Sequence, residues 1–114
     1  MRTLRLHAAV WALAVLTACA ALGLPTAETF NQKLAVGYGT VTAIRNSATT
    51  LVTAGKLSPD DAQNVQTQAD TARSALDLAR TAYRSGDTAG ATTKLDTTAT
   101  VLRALQAYLA SKGA

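Results

Sequence analysis

Three stretches of the 114-residue chain repeat apolar or small residues at alternating intervals of three and four. In the first, Phe30, Leu34, Val41, Ile44, Ala48 and Leu51 form such a ladder, with Gly37 filling its one gap. In the second, Ala62, Val65, Ala69, Ala72, Leu76, Ala79 and Tyr83 follow without interruption, and Leu78 and Ala82 broaden the stripe. The third runs through Ala91, Leu95, Thr98, Leu102, Leu105 and Leu109, and widens at Val101 and Tyr108. An α-helix brings residues three and four apart onto one face, so each ladder predicts an amphipathic helix. The expected helices cover residues 28–54, 59–85 and 88–112. Gly37 and Gly39 flank Tyr38, and a glycine in a helix interior costs about 1 kcal/mol relative to alanine. The first helix is therefore expected to bend there or to become regular only at Thr40.

The joins carry the chemistry of helix ends. Gly55 suits the left-handed residue that terminates a helix, Ser58 suits an N-cap, and Pro59 suits the first helical position, where its missing N–H costs nothing. Asp60 and Asp61 then sit in the first turn, where carboxylates meet the positive end of the helix dipole. Ser85-Gly86-Asp87 repeats this grammar, with Gly86 as terminator and Asp87 as cap. Three helices of similar length joined by short turns must run antiparallel, so the fold class is all-α, an antiparallel three-helix bundle. The seam of the middle helix is mostly alanine, which lets helices approach closely but buries little area at about 25 cal/mol per Å². Either the bundle suffices alone, or a remaining apolar strip involving Tyr38, Tyr83 and Tyr108 is completed by a second copy or a partner.

The first 19 residues are of another kind. Arg2 and Arg5 precede a run from Ala8 to Leu16 without a charge, the n-region and h-region of a secretory signal, and Leu16-Thr17-Ala18-Cys19 follows. This arrangement resembles the signal peptide and lipobox of bacterial lipoproteins, including small helical lipoproteins of Gram-negative bacteria and their prophages. The resemblance implies cleavage between Ala18 and Cys19, acylation of Cys19, and membrane attachment through that lipid. Residues 1–18 would be the signal, 19–27 the lipidated cysteine and a short tether, and 28–114 the bundle. Ala20 stands where an aspartate would retain such a protein in the inner membrane, so the implied location is the periplasmic face of the outer membrane. The competing reading is an uncleaved anchor from Ala8 to Leu24, 17 residues against the roughly 20 that a spanning helix needs.

Removing the signal changes the chemistry that is available. Arg2 and Arg5 leave with it, so nine of the eleven Lys and Arg face seven Asp and Glu, a net charge of +2 spread along the chain. Nucleic-acid binding needs a clustered basic stripe and is not expected. His7 and Trp11 leave too, and Cys19 carries lipid, so no Ser-His-Asp or Cys-His set and no usual zinc ligands remain. No catalytic, cofactor or metal residues are expected, and no small-molecule substrate. Of the carboxylates, Asp60 and Asp61 open a helix, Asp87 caps one, and Asp70 and Asp77 are expected on a solvated face. A hydrolase using two of the acids would need them to converge in a cleft. The expected role is non-catalytic contact with an unknown envelope protein or with itself. The alternative is an anchored inhibitor or receptor-blocking module, phage-related in lysis or exclusion.

Overall fold

The computed structural model describes residues 29–114, of which residues 32–114 form one compact unit. The expected cleavage at Ala18 and Cys19 and the lipidation of Cys19 lie outside the described residues. Among the described residues, three helices make up the fold: α1, Phe30–Thr53; α2, Pro59–Arg84; and α3, Thr88–Ser111. Each bound falls within two residues of the position that the hydrophobic ladder sets.

The helix ends follow from local hydrogen bonding. At the end of α1, Gly55 takes a φ of 72°, its N–H donates to the Val52 carbonyl, and the Lys56 N–H reaches back to Leu51. That pair of bonds is the Schellman motif, which satisfies carbonyls the helix leaves open. Gly86 repeats it at the end of α2, with the N–H of Asp87 donating to Ala82 at 2.9 Å. Asp87 thus closes one helix with its backbone and opens the next with its side chain, which accepts from the Gly90 N–H at 3.0 Å. At the other join Ser58 Oγ accepts from the Asp61 N–H at 3.1 Å, with Pro59 at the first helical position. Leu57, just before that cap, is buried although no ladder includes it. A residue preceding the N-cap folds back over the first helical turn, which a periodic pattern does not register.

Cross-helix partners give the register. Tyr38 meets Asp77 and Arg45 meets Asp70, so α1 ascends as α2 descends. Helix α3 packs along α2 and meets α1 where Ala43, Ile44 and Ser47 face Gln106, Leu109 and Ala110. The result is an antiparallel three-helix bundle. Leu34, Gly37, Val41, Ile44, Ala48 and Leu51 from α1 fill its core with Val65, Ala69, Ala72, Leu76 and Ala79 from α2. Helix α3 adds Ala91, Leu95, Thr98, Leu102, Leu105 and Leu109. The stripes are narrower than expected, because Leu78 is 61% exposed and Val101 42%. Both lie beside a seam, where the apolar face gives way to solvent once the alanine-lined helices have closed on one another.

One other expectation is corrected. Helix α1 continues through Gly37, Tyr38 and Gly39 without a break or a late start. Gly37 is buried, and a Cβ placed on it would lie 3.0 Å from a Leu76 methyl, so it is the point where α1 and α2 close over the largest fully buried side chain of α2. Gly39 faces open space. The threonines fit their helices because their hydroxyls donate to the carbonyl four residues back, as from Thr40 to Val36 at 2.8 Å and from Thr81 to Asp77 at 3.0 Å. The buried Thr98 does the same with Lys94 at 2.8 Å, which satisfies its hydroxyl inside the core.

Candidate functional site

The most concentrated polar chemistry lies in the groove between α1 and α2. It follows from spacing. Tyr38 and Arg45 are seven residues apart on α1, and Asp70 with Asp77 and Arg73 with Arg80 are each seven apart on α2. Positions seven apart beside a helical seam stay on one side of it, and in an antiparallel pair they meet the equivalent positions of the neighbouring helix. The groove is lined by Tyr38, Thr42, Arg45, Arg73, Asp77 and Arg80, with Val41 at its floor.

Its contacts are built pairwise. The Arg45 guanidinium pairs with Asp70, and the Gln66 side-chain amide donates to the Arg45 carbonyl at 3.3 Å. The Tyr38 hydroxyl donates to Asp77, and the Arg80 guanidinium stands 5.9 Å from the centre of the Tyr38 ring. Arg80 also approaches Asp77 at 3.9 Å, the outer limit of an ion pair. Burial holds the Tyr38 hydroxyl above its ordinary pKa of 10.0, reinforced by its hydrogen bond to Asp77 and by that carboxylate's charge. Arg80 and Arg73 pull in the opposite direction without cancelling the effect. Tyr38 is therefore a neutral hydroxyl donor at physiological pH, and Asp77 is the acceptor it serves.

Donors outnumber acceptors here. Each guanidinium offers five N–H groups, whereas the two carboxylates Asp70 and Asp77 are already engaged by Arg45 and Tyr38. The Nε of Arg45 is buried without an acceptor. Asp70 and Asp77 are exposed, as expected of a solvated face, yet each has a partner on α1. Sequence reasoning missed those pairings because it placed residues on single helices; the shared seven-residue spacing was the signal for them. Asp70 and Asp77 are engaged separately, the first by Arg45 and the second by Tyr38. Among the described residues, no three His, Cys, Asp or Glu side chains gather closely enough to hold a metal ion.

The three tyrosines have different surroundings. Tyr38 belongs to the groove. Tyr83 lies in the last turn of α2 and is 37% exposed. Tyr108 is half-buried near the end of α3, with the Lys112 ammonium 5.5 Å from its ring centre. Tyr83 and Tyr108 lie toward opposite ends of the α2–α3 hairpin, so one local patch does not contain both. Among the described residues, no helix is long and apolar enough to cross a membrane. No protein family, curated protein or solved structure matches the chain.

Proposed function

We propose that the chain is a membrane-anchored bacterial lipoprotein that acts without catalysis, by protein–protein contact at the cell envelope. The observation that carries this reading is Leu16-Thr17-Ala18-Cys19, placed after Arg2, Arg5 and an uncharged apolar run. Acylated Cys19 holds the protein on the periplasmic face of the outer membrane. The short segment from Ala20 to Ala27 keeps the bundle beside the lipid, which raises its effective concentration towards a membrane partner to roughly the mM range. Weak contacts then suffice, and the α1–α2 groove offers fixed charges and a hydroxyl for them. The test is the intact mass of protein extracted from membranes, expected to begin at Cys19 with attached acyl chains. Replacing the lipoprotein signal with an ordinary cleavable one is expected to release a folded soluble protein that loses most of its biological effect. A chain beginning at Met1, or a soluble form with full effect, overturns the proposal.

A further inference from the structure

Along α2, the outward face of the groove reads Arg73, Asp77, Arg80, a cation, an anion and a cation within two turns. The middle charge is served from α1 by the Tyr38 hydroxyl, and Arg80 touches it only at 3.9 Å. Arg73 forms no ion pair with the carboxylates on either side of it, Asp70 and Asp77, which are held by α1. A single compact anion at the centre of this array would face the Asp77 carboxylate. Two carboxylates straddling Asp77 would each meet a guanidinium and avoid it. Arg73 and Arg80 are seven residues apart, about 10.5 Å along a helix at 1.5 Å per residue. In a peptide in the polyproline II conformation, which has three residues per turn, side chains three positions apart share one face and are separated by about 9 Å at roughly 3.1 Å per residue.

We propose that this groove docks an acidic segment of a partner protein in the polyproline II conformation, with two carboxylate side chains three positions apart on Arg73 and Arg80. A backbone N–H between them, free because this conformation makes no internal hydrogen bonds, faces Asp77. The proposal rests on the contact function above and names the chemistry of the partner. Arg45 marks the end of the array, since its guanidinium is already paired with Asp70. Arginine suits the task because its planar fork matches a carboxylate with two parallel hydrogen bonds.

The test follows the arginine side-chain N–H and Tyr38 ring signals of the full chain by NMR. The probes are a short peptide with two glutamates three positions apart and a serine between them, the same peptide with glutamines, and phosphatidylglycerol vesicles. The acidic peptide is expected to shift the Arg73 and Arg80 signals saturably, with affinity falling as salt is raised, and the glutamine peptide to leave them unmoved. Arg73→Gln with Arg80→Gln is expected to weaken binding roughly tenfold, whereas Arg103→Gln on α3 leaves it unchanged. Circular dichroism of each variant checks the fold, and the titration of the unaltered chain decides the matter if the double variant does not fold. No saturable shift, an equal response to the glutamine peptide, or an equal loss in Arg103→Gln overturns the proposal. A response to the vesicles alone overturns it in favour of lipid headgroups. If the double variant keeps its biological effect while the unanchored form loses it, the groove proposal falls and the anchored contact function stands.

Discussion

Tyr38 shows how one residue can belong to packing and to surface chemistry at once. Its ring rests beside the α1–α2 seam and its hydroxyl donates to Asp77 across the groove. Such a bond contributes about 1 kcal/mol net, so Tyr38→Phe is expected to lower unfolding free energy by about that amount at neutral pH, read by chemical denaturation. The pH dependence follows from the raised pKa. The folded protein holds the phenolic proton more tightly than the unfolded chain, whose tyrosine titrates at the ordinary value of 10.0. The contribution is therefore complete below about pH 10 and lost as the pH rises through the higher folded value. The variant's deficit should fade over that alkaline range; a deficit that persists unchanged beyond it would mean that the phenolic proton donated to Asp77 is not what stabilises the fold. Residues such as Ser58 and Asp87 acted where their local chemistry placed them, as caps. Asp70 and Asp77 did not, because their partners lie on another helix.

Helix α1 holds two glycines whose costs have different explanations. Gly39 faces open space, so Gly39→Ala should recover intrinsic helix propensity and stabilise the protein by about 0.5–1 kcal/mol. Gly37 faces Leu76, which is fully buried and has nowhere to retreat. Gly37→Ala is expected to destabilise by about 1 kcal/mol despite the same gain in propensity, because overpacking a closed core displaces side chains and backbone. Thermal unfolding of the two variants side by side tests this, and equal stabilisation by both would show that α1 and α2 do not approach closely at Gly37. The ladder predicted where each helix lay and which face turned inward. It did not distinguish the two glycines, since propensity treats them alike and only the opposing helix separates them. The same limit applies to Leu78 and Val101, whose apolar character suggested wide stripes although the bundle leaves both exposed.

At the scale of the molecule, three narrow stripes of small residues close one core, and a change at its centre should be felt throughout. Leu76→Asp is expected to abolish the helical signal in circular dichroism, because burying an unpaired carboxylate costs several kcal/mol, comparable with the whole stability of a small domain. Thr67→Asp, on the exposed side of α2, should leave the signal intact. Equal tolerance at both positions would mean that the stripe is not buried. The three helices, their ends and their inward faces were legible in the chain alone, because helix periodicity, caps and terminating glycines act within a few residues of one another. The packing of the helices settled that α1 continues through its glycines, that Leu57 is covered, and that Tyr38, Arg73, Asp77 and Arg80 share a groove. Each of these depends on the distance and register between helices, which close packing of Gly37 against Leu76 sets and no single segment encodes.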